Sequence, residues 1–218
     1  MLNNTEYVQD NMGMVEPIYA TLVYWSAIGR RTEVQKELDN LLPQLEFRYA
    51  NEIEGTYTSG WGKTHKLNVP LDGDKDFFEQ DILTELPLLA DTLDQHINYY
   101  LAALDRTQRP YRRKSWMTGL GDGDFIHEHT HGSCDLTGVY YYRSCPDDGM
   151  LSFTCPVPAM AQDRLYENYA KTWDHQPGEG KLLLFPPWLA HGVRRILRPD
   201  FTRHSVSWNI EFDWWDER

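Results

Sequence analysis

The sequence predicts a mainly β protein with supporting N-terminal helices. Up to about Pro110 apolar residues recur every three or four positions, and after it the period falls to two. Gly, Pro and Asp punctuate the second half at the spacing of short strands, as in a sandwich or barrel. No Gly/Ser-rich or Pro-rich linker separates the halves. One domain over 1–218 is therefore expected, with 1–110 mostly helical support and 111–218 the β core.

The elements follow in order. In RTEVQKELDNLLPQLEFR (31–48), Val34, Leu38, Leu41, Leu42 and Leu45 lie at helical spacing, and Pro43 is expected to kink or end that helix. The turn-rich stretch after it, which contains TYTSGWG, reads as loop or short strands. Residues 75–104 carry Phe78, Ile82, Leu86, Leu89, Leu93, Ile97, Tyr100 and Leu101 on one helical stripe. Pro87 interrupts it, which predicts two helices or one kinked helix. The runs SWMTGL, FIHEHTH, LTGVYYYRS, MLSFTCP, GKLLLFPP, GVRRIL and RHSVSWNIEF read as strands, with one helical candidate at 161–171. In the last strand Arg203, Ser205, Ser207, Asn209, Glu211 and Asp213 share one face, and His204, Val206, Trp208, Ile210 and Phe212 share the other. Taken alone, the polar face reads as solvated. The alternative is a barrel with a wet interior.

Composition narrows the function. A net charge of -12 repels phosphate backbones and disfavours nucleic acid as a partner. No run of about 18 apolar residues is present to cross a bilayer as a helix, and MLNNTEYVQD lacks the pattern of a secretory signal. The three cysteines, Cys134, Cys145 and Cys155, have no CxxC spacing. They read as small core residues of a protein in a reducing cytoplasm. Arg106, Arg109, Arg112, Arg113 and Lys114 form a local basic patch, read as a solvated loop. Trp214 and Trp215 read as cover for the barrel base, with a homodimer contact as the alternative.

The histidines point to chemistry. His127, His129 and His131 alternate along a predicted strand and so share a face. Neighbours two apart on a strand lie about 6 to 7 Å from each other. Two such imidazoles can meet at one metal ion; three in a row cannot, so one pair is the candidate. His191 follows an apolar strand and a Pro-Pro turn, the place for a third, distant ligand of an open three-ligand site. If the polar face of the last strand looks inward, Arg203 needs an anion, and a carboxylate is its natural bidentate partner. Ser205 shares that face. HExxH, GxSxG and P-loop motifs are absent, and GLGDG at 119–123 reads as a turn.

The blocks GDFIHEHTHGSCDLTGVYYY, PGEGKLLLFPPWLAHGV and RHSVSWNIEF, in this order, resemble the 2-oxoglutarate/Fe(II) oxygenases of bacteria and their viruses. That family shows an HxH, a Ser/Thr-Gly-Val-Tyr-Tyr strand, an FPxWLxH segment and an RxSxSxN strand. The resemblance covers roughly 115–212 and extends weakly to TYTSGWG. It implies a double-stranded β-helix core (a cupin-like jelly-roll). It also implies an oxidoreductase that couples oxidative decarboxylation of 2-oxoglutarate, with Fe(II) and O2, to oxidation of a substrate. By position it makes His129, His131 and His191 the metal ligands, and Arg203 and Ser205 the anchor of the co-substrate's far carboxylate. Better-known oxygenases carry a carboxylate where His131 stands. Asp135 has the right parity and is the alternative third ligand, reachable through a bulge at Gly132. His127 has no family counterpart. One of Tyr140, Tyr141 and Tyr142 is a candidate partner for the carboxylate. Two other readings compete: a cupin-like metal enzyme that does not use 2-oxoglutarate, and a non-catalytic binding protein on a relic barrel.

Overall fold

The computed structural model describes residues 6–8, 13–15, 20–49, 63–66, 81–132, 134–145, 149–162, 164 and 172–213. Two short strands, β1 (Glu6–Val8) and β2 (Gly13–Val15), pair with each other. Then come β3 (Tyr24–Ala27), helix α1 (Arg31–Leu41), β4 (Glu46–Tyr49), β5 (Lys63–Lys66) and helix α2 (Pro87–Ala103). The remaining strands are β6 (Tyr111–Leu120), β7 (Ile126–His129), β8 (Leu136–Arg143), β9 (Leu151–Phe153), β10 (Trp173–His175), β11 (Lys181–Phe185), β12 (His191–Val193) and β13 (Arg203–Phe212).

Both prolines act as boundaries. Pro43 lies in a 3-10 turn, Leu42–Gln44, that ends α1, and the chain then turns into β4 rather than continuing as helix. Pro87 opens α2, where its missing N–H leaves no bond unmade. The backbone N–H groups of Leu88 and Leu89 donate to the Glu37 carboxylate of α1 at 2.9 and 3.1 Å. A negative charge from one helix thus satisfies the open end of the other. The buried faces are those the spacing predicts: Val34, Leu38 and Leu41 on α1, and Leu89, Leu93, Ile97, Tyr100 and Leu101 on α2.

Two sheets stack as a jelly-roll. The large sheet runs β3-β11-β8-β13-β6-β5-β4 and the small one β10-β9-β12-β7. The two faces of the large sheet divide the core. Tyr140, Tyr142, Leu182, Leu184, Val206, Trp208 and Ile210 pack on the helices. Val139, Tyr141 and Leu183 pack inward with Leu151, Phe153 and Val193 of the small sheet. Gly138 sits directly opposite Trp208. A Cβ there would meet the Leu183 carbonyl at 2.3 Å and the indole at 2.8 Å, so the absent side chain is what lets Trp208 cross the sheet.

Two of the five residues of the basic patch, Arg112 and Arg113, lie on β6 and form ion pairs. Arg113 forms a half-buried bridge to Asp81 at 2.8 Å, and Arg112 pairs with Glu211 at 2.9 Å. The cysteines are free and partly exposed rather than core residues. TYTSGWG, most of the predicted helix at 161–171, and Trp214 with Trp215 lie outside the described residues.

Two outcomes follow. Gly138→Ala forces the indole and a backbone carbonyl apart and should destabilise by about 1 to 3 kcal/mol. Urea unfolding with an unchanged midpoint would contradict this packing. The second concerns acid. Burial pushes His175 and His204 down to about 4, and in both cases a neighbouring cation, Lys181 or Arg143, adds to the effect. Unfolded, both take protons near pH 6.5; folded, they refuse them until about pH 4. Their contribution is therefore whole above pH 6.5 and is lost as the pH falls from there towards 4. The slope approaches about 1.4 kcal/mol per pH unit per histidine. Denaturation series at pH 7, 6 and 5 on His204→Gln should show a shallower fall than the unaltered protein.

Candidate metal centre and anion pocket

Strand register assembles the histidines. β12 pairs antiparallel with β7 so that His191 faces His129 directly. Side chains of directly opposed residues project to the same face. The approach needs Gly192, where a Cβ would meet the Ile126 carbonyl at 2.7 Å and the Glu128 amide nitrogen at 3.1 Å. β7 ends at His129, and His131 lies just beyond, its backbone N–H bonded to the Pro187 carbonyl at 2.9 Å. The turn between β11 and β12 thereby fixes the third imidazole. One potential ligand atom from each of His129, His131 and His191 lies within 4.8 Å of the others.

Hydrogen bonds set which ring nitrogens face the centre. His129 Nδ1 lies 2.8 Å from the His127 carbonyl, and His191 Nδ1 lies 2.8 Å from the Leu189 carbonyl. A carbonyl only accepts, so each Nδ1 carries the proton and each Nε2 presents a lone pair. Backbone carbonyls holding ligand imidazoles in this tautomer are a recurring support of metal sites. His131 Nε2 is 3.2 Å from His191 Nε2. Two metal–nitrogen bonds of about 2.1 Å at a right angle would separate the nitrogens by about 3.0 Å. Lone pairs at such a distance repel unless a proton or a cation lies between them.

Burial keeps the set neutral. Desolvation, reinforced by the neighbouring histidines, pushes His131 down to about 3 and His191 to about 4, and desolvation also lowers His129. Three neutral imidazoles at neutral pH form a donor set for a divalent transition metal. Phe185 meets the His191 ring edge-on at 4.7 Å, and Trp116 of β6 lies 6.3 Å from the His131 ring. The fit of donors, tautomers and spacing to Fe(II) is good.

Two other residues weighed from the sequence fall outside the cluster. The His127 ring packs on Phe125 at 4.7 Å, and only its carbonyl serves the centre. Asp135 accepts from the Phe212 N–H at 2.8 Å and its own N–H donates to the Ile210 carbonyl, also at 2.8 Å. It tethers the far end of β13, so the alternative third ligand is not brought to the centre.

The polar face of β13 looks inward at its beginning. Arg203 is 2% exposed and Ser205 4%, whereas Glu211 at the other end is exposed. The solvated reading holds only for the end of the strand, because the small sheet covers its start. Arg203 Nη1 donates to the Gly149 carbonyl at 2.9 Å, and the guanidinium carbon lies 5.7 Å from the Tyr141 ring centroid. Ser205 is flanked by Thr118 of β6 and Tyr141 of β8, and Ser207 stands opposite Trp116. From Trp116 beside His131, this face therefore runs through Ser207 and Ser205 to Arg203, in steps of about 7 Å per two residues. Of the three tyrosines only Tyr141 faces this way; Tyr140 and Tyr142 pack towards the helices. Thr118 and Trp116 were not singled out by sequence. Their signal is the parity of SWMTGL, which becomes meaningful only once its register against β13 is known.

Residues 114–209 match the family described as "Putative 2OG-Fe(II) oxygenase". No curated protein sequence matches. Among solved structures, the fold is similar to a prolyl hydroxylase from Trichoplax adhaerens in complex with a hypoxia inducible factor peptide. There the TM-score is 0.58 at 16% identity, over 88% of this chain and 83% of that one. It is also similar to HygX from Streptomyces hygroscopicus with nickel and 2-oxoglutarate bound (TM-score 0.56, 14% identity, 89% and 84% covered). A Pseudomonas putida prolyl-4-hydroxylase gives 0.51 at 13% identity, with 88% and 94% covered. At these identities the likeness shows the fold. The segment from 114 to 209 is similar to the 2OG-Fe(II) oxygenase family, and the chain shares the fold of the structures named above.

Proposed function

We propose that His129, His131 and His191 hold the iron, and that Arg203 and Ser205 hold the far carboxylate of 2-oxoglutarate. In this reading the chain couples decarboxylation of that co-substrate to oxidation of a second, organic substrate. The observation that carries it is the convergence of three neutral imidazoles, two of them held by backbone carbonyls with Nε2 turned inward. When bound, the iron supplies the oxidising chemistry, consuming O2 and 2-oxoglutarate and releasing succinate and CO2. The protein's own residues do the rest. The carbonyls of His127 and Leu189 hold the imidazoles in one tautomer. Phe153, Phe185 and Trp116 surround the imidazoles with apolar surface. The Arg203 guanidinium presents a fixed positive charge in a buried pocket, where a carboxylate gains most from it. Ser205, Thr118 and Tyr141 add polar side chains or a ring face beside it.

The whole chain acts in this reading as one catalytic unit, residues 111–218 forming the core and 1–110 supporting it. Three free cysteines suit a reducing cytoplasm, and the net charge of -12 argues against nucleic acid as the substrate.

His131→Ala should weaken binding of Mn(II), used as a stand-in for iron, at least 100-fold by calorimetry, while Asp135→Asn binds within about twofold of the unaltered protein. The reverse pattern would reassign the third ligand. Arg203→Ala removes a charge-assisted pair and should raise the Kd for 2-oxoglutarate by about 30-fold or more, close to 2 kcal/mol. Anaerobic titration of the Fe(II) protein, followed by the charge-transfer absorption of the chelate, measures it directly. An unchanged Kd would remove Arg203 from the pocket.

A further inference from the structure

A second aromatic cluster adjoins the metal centre. Across the small sheet, Trp173 of β10 opposes Phe153 of β9, Phe153 opposes His191 of β12, and His191 opposes His129 of β7. The four side chains form one row on one face. Trp173 stacks on Phe153 at 5.6 Å and 29°, and Phe153 lies 6.0 Å from His191. At the outer end of the row Trp173 is 48% exposed. Trp25, on edge strand β3 of the large sheet, is 57% exposed and opposes the inward-facing Leu183. Between these indoles lies His175, only 7% exposed, with ring centroids 6.0 Å from Trp25 and 5.5 Å from Trp173. His175 Nε2 is buried and, among the described residues, has no hydrogen-bond partner.

Two unfavourable features thus meet at one place. Half-exposed indoles leave large apolar area in water. An unpaired buried polar atom costs about 1 to 3 kcal/mol. A ligand that turns the indoles aside far enough to reach Nε2, which is closed to solvent here, and then covers them relieves both. A hydroxylated saturated ring does so with economy: its C–H face lies on an indole, and a hydroxyl both donates and accepts, so it satisfies Nε2 in either tautomer. A carbonyl, as on a prolyl peptide, pairs only with the protonated nitrogen. Because His175 stays neutral well below pH 7, it offers no charge to an anion.

We propose that Trp25, Trp173 and His175 form a substrate subsite that takes a neutral, hydroxylated ring of the sugar class. The proposal rests on the oxygenase reading above. Trp173 stands two strands from His191, roughly 10 Å. A substrate seated on the indoles therefore has its far end about that distance from the reacting centre.

The test uses the full chain with Fe(II) and 2-oxoglutarate. Succinate release without added substrate sets the baseline. Two panels are then added: neutral sugars (methyl glucopyranosides, methyl galactopyranosides, maltose, cellobiose) and prolyl tetrapeptides. The expected result is saturable stimulation by at least one sugar. Trp173→Ala and Trp25→Ala should each raise its half-saturating concentration tenfold or more. His175→Leu should do the same, and His175→Gln should restore much of the response. No stimulation by any sugar over an intact baseline overturns the subsite, as does stimulation by the peptides instead, or a sugar response indifferent to both tryptophan replacements. Absence of a charge-transfer band when 2-oxoglutarate is added anaerobically to the Fe(II) protein overturns the oxygenase reading on which the subsite rests, and that missing band distinguishes this failure from the others.

Discussion

The register between β12 and β7 is the constraint on which the rest depends. Side chains alternate along a strand, so a slip of one residue would turn His191 to the opposite face and leave His129 with no partner. Gly192 holds the register by letting β12 lie against the backbone of β7 where a side chain would collide. The pairings of β12 with β9 and of β9 with β10 carry the row outward through Phe153 to Trp173. The candidate metal centre, its apolar collar and the rim are therefore set by successive alignments of backbone hydrogen bonds across the small sheet.

β13 does the complementary work in the large sheet. Its odd-numbered residues build the inner pocket and its even-numbered ones anchor the helical layer, with Val206, Trp208 and Ile210 fully buried. Removing a guanidinium from water costs several kcal/mol even after the protein relaxes. The Gly149 carbonyl and the Tyr141 ring face recover part of that cost. The apolar face of the same strand offsets more, since fully burying a large side chain contributes about 1.5 to 3 kcal/mol. A strand that carries a charge inward is thus held by what it buries outward.

Much of this was legible in the residues. The change of period near Pro110 marks where the long strands begin, and the stripe from Leu89 to Leu101 is the buried face of α2. The alternation of RHSVSWNIEF is the division of the core. What was not legible depends on partners distant in sequence. The interval between His129 and Asp135 gives no hint that Asp135 is tied to the backbone of residues 210 and 212. Pro87 reads equally as a kink or a start until Glu37 is seen at the helix end. The fate of Arg203 was undecidable because alternation states that a strand has two faces but not which one another sheet will cover.

The turn at 186–189 grips two imidazoles at once. The Pro187 carbonyl takes the amide of His131, and the Leu189 carbonyl takes the ring of His191. Two consecutive prolines with locked φ angles make this segment stiff before anything binds. It works as a yoke. A shift of those four residues moves both rings together, and lengthening the turn by a single residue would detune the pair while leaving every histidine in place. The centre is therefore sensitive to change in a stretch of chain that supplies none of its ring nitrogens.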